Sequence, residues 1–154
     1  MAGGRHEARE WAVQFLFQRD FNRGDLDRAL SVFWQEREVN ARSRAFSEAL
    51  IRGVEANAEE IDRRIRGYAE HWDIKRMGAV DRNVMRVALY EMIFCPDIPP
   101  VVSINEAVEI AKDFSGPESG RFVNGILDHA RKDLDRPART AMKSPARGTT
   151  RGGT

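Results

Sequence analysis

Two sets of residues in this sequence are of types and spacings that could do chemistry. The first is Ser119-Gly120-Arg121-Phe122-Val123-Asn124-Gly125, a basic residue, an aromatic and an amide side chain where a helical pattern begins. Free N–H groups at a helix start suit phosphate. An aromatic there can stack on an unpaired base, and Arg121 can pair with phosphate. The competing reading places Phe122 in the core and Arg121 in solvent. The second set is the carboxylates Glu91, Glu106 and Glu109, which loosely suggest a metal site. A di-metal helical bundle requires Glu-x-x-His on two helices, and no such pair occurs. His6, His71 and His129 are scattered, Cys95 precedes a proline with no evident base, and the glycines build no phosphate-cradling loop. The residues point to binding and give no case for catalysis or a cofactor.

A further basic group, Arg5, His6 and Arg9, opens the first helical stretch. The helix dipole does not favour cations there, which leaves either solvated surface or a role in binding. That stretch, from about Arg5 to Phe21, carries an apolar face of Ala8, Trp11, Ala12, Phe15 and Leu16 at helical spacing. A second stripe of Val13, Phe17 and Phe21 either packs internally or is offered to a partner.

The elements that must position these groups read as helices throughout. Gly24-Asp25 breaks the chain and caps a helix whose face is Leu26, Ala29, Leu30, Phe33 and Trp34. The next carries Phe46, Ala49, Leu50, Gly53 and Val54, with Gly53 marking a close helix approach. Asn57 interrupts before Ile61, Ile65 and Tyr68, and His71-Trp72-Asp73 leads on. Residues Met77 to Phe94 form the central element. Val80, Val84, Met85, Val87, Ala88, Leu89, Met92 and Ile93 leave it almost no polar side, the mark of a helix surrounded by others. Arg86, mid-helix, therefore needs a carboxylate, for which Glu106 and Glu91 are the candidates. Asp81 and Arg82, in the first turn, can reach solvent or another protein. Three prolines, Pro96, Pro99 and Pro100, make a loop. Ser103 and Glu106 have capping-box spacing ahead of Ile104, Ala107, Val108, Ala111 and Phe114. Ser115-Gly116-Pro117 precedes a last helix from about Glu118 to Leu134. No segment alternates at period two, so the chain is expected to be all-α, with about seven helices.

Charge divides the chain unevenly. Of its 25 basic residues, five (Arg136, Arg139, Lys143, Arg147 and Arg151) follow Asp135, where there is no acid, so residues 1–135 hold 20 basic against 24 acidic residues. A mildly acidic helical domain over 1–135 and a disordered basic tail over 136–154 are expected. Nucleic acid must then be met by a local patch and not by a whole-body positive field. A single cysteine excludes an internal disulfide, and neither a signal peptide nor a membrane-spanning run is evident, which makes the cytoplasm the expected location.

Five stretches, in this order, carry a family resemblance. They are R-x-x-x-R-E-x-A-V-Q from Arg5, F-x-x-x-L-I-x-G-V from Phe46, V-D-R-N-V-x-R-V-A-L-Y-E-M from Val80, I-N-E-A-V-E-I-A-K-x-F from Ile104, and R-F-V-N-G-I-L-D from Arg121. Together they resemble the NusB family of bacterial transcription antitermination factors, over about Arg5 to Leu134. The resemblance implies two small helical bundles without cofactor or enzymatic activity. It also implies binding of boxA RNA from ribosomal-operon transcripts with NusE, a small-subunit ribosomal protein, on RNA polymerase with other Nus factors. On this chain the implied RNA residues are Arg5, His6, Arg9, Lys112, Ser119, Arg121 and Phe122. The implied protein-binding residues are Val13, Phe17, Phe21, Asp81 and Val84. The family's N-terminal basic cluster is usually denser than Arg5, His6 and Arg9. Two alternatives are a self-associating helical protein, whose homodimer hides the RNA surface, and a module like the N-terminal domain of RNA cytosine methyltransferases. This chain leaves the latter no room for a catalytic domain.

Overall fold

The protein is described by a computed structural model covering residues 4–69, 77–134 and 141. Seven helices follow one another: α1 (Gly4–Phe21), α2 (Leu26–Gln35), α3 (Ala41–Ala56), α4 (Ala58–Tyr68), α5 (Ala79–Phe94), α6 (Pro100–Ser115) and α7 (Pro117–Asp133). There is no strand among the described residues. The expected link through His71 to Asp73 and the basic tail from Arg136 lie outside the described residues, Ala141 apart.

The helix boundaries have local causes. Asp25 caps α2 by accepting the Arg28 backbone N–H at 2.8 Å, and Asn40 caps α3 by accepting that of Ser43 at 2.8 Å. Asn57 closes α3, donating its side-chain amide to the Gly53 carbonyl at 2.8 Å, and α4 starts directly after it. Gly116, at φ 103°, turns α6 into α7, each of which begins with proline. The expected capping box at Ser103 and Glu106 is not formed. α6 already starts at Pro100, whose fixed φ and missing N–H suit the first helical position. Ser103 is thereby carried inside the helix and becomes free for another task.

α5 is the pillar the sequence implied. It packs against α1, α3, α4, α6 and α7 and buries Val84, Met85, Val87, Ala88, Leu89 and Met92. It joins two groups of helices, α1–α3 and α4–α7. α1 runs alongside α3 in the same direction, with Gly4 near Ser43 at one end and Arg19 on Glu55 at the other. It runs opposite to α5, with Arg9 on Glu91 and Asp20 on Asn83. α3 reaches α5 closely at Gly53, where a Cβ would fall 2.1 Å from Cζ of Tyr90. α2 docks on α1 by large rings, Phe33 lying edge-on to Phe15 at 5.3 Å and to Trp11 at 6.3 Å.

Two expectations change here. Arg86 is ion-paired, but with Asp62 (Nε to Oδ1, 2.8 Å) and Asp20 (Nη1 to Oδ1, 3.1 Å), not with Glu106 or Glu91. α4 and α1 flank that side of α5, while α6 covers the other. Val13 and Val84 are each 1% exposed and belong to the core, so neither can be docking surface. Val13 falls on the α1 face that meets α5, because the apolar face of α1 is wider than one stripe.

Candidate nucleic-acid interface

The start of α1 divides its three expected RNA residues among three environments. Arg5 is exposed, with its guanidinium 4.5 Å over the Phe46 ring of α3. Arg9, one turn on, is only 4% exposed. Its Nε and Nη2 donate to the two oxygens of Glu91 at 2.6 and 3.1 Å, and Ser103 adds its hydroxyl to Glu91 Oε1 at 2.6 Å. Glu91 is itself fully buried, so this is a satisfied internal ion pair spanning α1, α5 and α6. The expectation that Arg9 meets phosphate is corrected: it is buried, with Nε and Nη2 on Glu91 and Nη1 toward Glu106. Glu91 and Glu106 both face this arginine, Glu106 at 3.8 Å from Nη1.

His6 stands between the other two. Its Nδ1 bonds to Glu106 and its Nε2 lies 3.4 Å from Glu10. Burial disfavours the charged ring, but the Glu106 hydrogen bond and the charges of Glu106, Glu10 and Asp113 outweigh it, and the His6 pKa is raised. His6, Glu10 and Asp113 bring one ligand-type atom each within 4.8 Å of one another. Both ring nitrogens are already held by carboxylates, so the group reads as an ion-pair cluster.

The second expected RNA group is assembled where α6 meets α7. The stem of Lys112 crosses Gly120, where a Cβ would come within 2.5 Å of Lys112 Cγ. Glycine is therefore required, and it places Lys112 between its chain neighbours Ser119 and Arg121. Lys112 and Arg121 are exposed, and the Lys112 ammonium lies 3.6 Å from Glu109. Phe122 is half-buried, packed against the core. Through Asp113, the residue after Lys112, this patch borders His6 across the α1–α6 seam, while Arg5 lies on the α3 side of α1. That seam is acidic, and its charge must be offset by the cations on either side.

The expected protein-binding residues separate in the same way. Phe21 is 72% exposed and Phe17 half-buried, their rings 5.2 Å apart on the outer side of α1. Asp81 is half-buried at the start of α5, accepting from the Ser119 hydroxyl at 3.2 Å. Burial raises its pKa and that hydrogen bond opposes the rise. Asp20, between Phe17 and Phe21 in the chain, receives Arg82 at 3.0 Å and Asn83 at 2.9 Å. The aromatic pair and Asp81 therefore occupy the same end of the α1–α5 pair. The residues that sequence reasoning missed are Asp20 and Asp62, together with the role of Phe46 under Arg5. Each acts across helices distant in the chain, and no spacing signals that.

The sequence model of the NusB family matches residues 6–132. The chain belongs to the NusB family. It is 44% identical over 134 residues to the transcription antitermination protein NusB of Koribacter versatilis, covering 86% of this chain and 92% of that one. With the NusB of Desulfotalea psychrophila it shares 48% over 130 residues, 80% and 92% of the two chains. Among solved structures, T. maritima NusB superposes with a TM-score of 0.77 at 41% identity, over 84% of this chain and 91% of that one. A structure of the antitermination factors NusB and NusE in complex with double-stranded RNA gives a TM-score of 0.78 at 26% identity, over 86% and 99%. Membership of the NusB family accounts for the seven-helix architecture. No helix among the described residues is long and apolar enough to cross a membrane.

Proposed function

We propose that this chain is an antitermination factor that binds boxA RNA together with NusE and joins the elongating RNA polymerase, acting in the cytoplasm without a catalytic step. The observation that carries the reading is the near-complete match to a chain solved with NusE and RNA. Support from the surface comes from a band interrupted by the acidic α1–α6 seam, with Arg5 on one side, Lys112, Ser119, Arg121 and Phe122 on the other, and His6 in the seam itself. Exposed cations at its two ends supply phosphate attraction, and a half-buried aromatic supplies a stacking edge. Phe17, Phe21 and Asp81 form the NusE-facing end, which borders the RNA face where Asp81 accepts from the Ser119 hydroxyl.

The test is fluorescence anisotropy of a labelled boxA oligonucleotide, titrated with the protein alone and with NusE. Binding that tightens with NusE and weakens with salt is expected. A chain that binds neither RNA nor NusE, and elutes as a stable dimer on size exclusion, would overturn the reading in favour of self-association.

A further inference from the structure

We infer that the groove between the starts of α1 and α3 is a nucleotide subsite for RNA, with Arg42 pairing a phosphate and the Arg5 guanidinium, backed by Phe46, receiving a base. The inference rests on the RNA-binding reading above and extends its surface onto α3.

The groove has a volume of about 540 Å³ and is lined by Gly4, Arg5, Asn40, Arg42, Ser43 and Phe46. Small-ligand clefts have volumes of this order. Its lining holds two arginines and no carboxylate. The α1–α6 seam on the other side of the α1 start carries Glu10, Glu106 and Asp113 around His6. An anion approaching the start of α1 is therefore drawn to the α3 side and repelled from the seam. Arg42 is exposed and has no ion-pair or hydrogen-bond partner among the described residues. Arginine presents its donors in a planar fork that fits phosphate.

Arg5 contributes differently. Its guanidinium lies over Phe46, 4.5 Å from the ring centroid, and Arg9 approaches the same ring at 5.3 Å. Arg5 is held in place by this contact without a carboxylate to neutralise it. RNA-binding surfaces use arginine planes of this kind as stacking platforms for unpaired bases. The groove walls are fixed as well. The Ser43 hydroxyl donates to the Gly4 carbonyl at 3.4 Å, tying the two helix starts together. Asn40 spends its side-chain oxygen on the Ser43 N–H, which leaves its amide N–H groups as donors in the groove it lines. Arg42 stands in for the cation that α1 loses when Arg9 turns inward.

The experiment is anisotropy of a single-stranded boxA oligonucleotide in the presence of NusE, over a salt series, with thermal melts as folding controls. Arg42→Ala should weaken binding about fivefold to tenfold and lower the slope of log affinity against log salt by about 0.7, one single-strand phosphate contact. Arg42→Glu should weaken it further. Arg5→Lys keeps the charge and removes the plane, so it should weaken binding about threefold with the slope unchanged. Arg121→Ala serves as reference on the far side of the RNA face. If Arg42→Ala and Arg42→Glu keep wild-type affinity and slope while Arg121→Ala weakens binding, the groove is not a subsite and the RNA reading stands. If the wild-type protein with NusE does not bind the oligonucleotide, both fall.

Discussion

Arg5 and Arg9 are one helical turn apart and chemically identical, yet the two sides of α1 use them in opposite ways. The side facing α5 and α6 draws Arg9 out of solvent and commits it to Glu91 and Ser103. The side facing α3 leaves Arg5 in solvent, supported by an aromatic ring and unneutralised. A charge is useful for recognition only where nothing in the fold already satisfies it. The same division recurs on α5, where Arg86 serves the interior and Asp81 sits at the rim.

The contrast is broken most directly by truncating each arginine. Arg9→Ala leaves the fully buried Glu91 with Ser103 as its remaining close donor, and should cost about 3–5 kcal/mol of stability. Arg5→Ala should change stability by no more than about 0.5 kcal/mol. Urea denaturation of both variants decides the matter. Equal midpoints for the two would remove the distinction between the sides of α1.

Arg86→Ala comes next. Its guanidinium bridges Asp20 of α1 and Asp62 of α4, and Asp20 keeps Arg82 and Asn83 when it is lost. The expected cost is smaller than for Arg9, about 2–3 kcal/mol. Burial opposes ionisation of Asp20, but hydrogen bonds from Asn83, Arg82 and Arg86 and the charge of Arg86 outweigh it, so its pKa is lowered. A lowered carboxylate pKa contributes stability that is present above the unfolded value and lost as pH falls through the folded one. Melting against pH should therefore show the gap between wild type and Asp20→Asn constant above about pH 4 and closing below it. A gap that widens in acid would mean that Asp20 is not the ionised hub of this network.

How much of this was legible in the sequence follows from the range of each interaction. The α5 pillar, the Gly53 approach and the breaks at Asp25 and Asn57 are written in local periodicity and capping chemistry, and the structure has them. That Arg86 needs a carboxylate was also legible, because a cation among Val84, Val87 and Ala88 cannot stay unpaired. Which carboxylate was not legible, since Asp20 and Asp62 come from helices whose crossing over α5 is set by the whole packing. Val13 was misread for a related reason. Its spacing puts it in line with Phe17 and Phe21, but α5 covers the α1 face at Val13 and leaves Phe21 uncovered. Family likeness supplied Lys112, Ser119 and Arg121 as a group, and the crossing of Lys112 over Gly120 shows what brings them together.

Phe17 and Phe21 sharpen the contrast from the other end of α1. Aromatics fixed on a rigid helix are typical interface anchors, and truncating one commonly costs about 2 kcal/mol of binding. Phe17→Ala should weaken NusE binding about 30-fold by the usual 1.4 kcal/mol per decade. Its stability loss should stay below the roughly 3 kcal/mol of a fully buried phenylalanine, because Phe17 is only half-buried. Calorimetric titration with NusE beside a thermal melt separates the two quantities. Normal binding by a poorly stable variant would place Phe17 with Val13 in the core.

A small effect belongs to His6, which sits on the border between the two sides of α1. It bonds to Glu106, and Glu106 lies 3.8 Å from Arg9 Nη1, so the ring touches the edge of the buried network while remaining partly open to solvent. Pairs this exposed contribute no more than about 1 kcal/mol. The direction of the effect is nevertheless fixed. With Glu106, Glu10 and Asp113 ionised, the folded state holds the His6 proton more tightly than the unfolded chain does. Such a group stabilises the fold fully below the unfolded pKa of about 6.5, and the contribution disappears as pH rises through the raised folded value. The melting difference between wild type and His6→Gln should therefore be largest near pH 5.5 and shrink toward about pH 8.5, since glutamine can accept the geometry but not the charge. Arg5→Gln, by the same measurement, should show no dependence on pH across this range, because its charge does not titrate and no carboxylate of the described residues pairs with it. A His6→Gln difference that grows with pH would mean that the ring is held neutral, and would move His6 from the ion-paired border to the buried side of the helix.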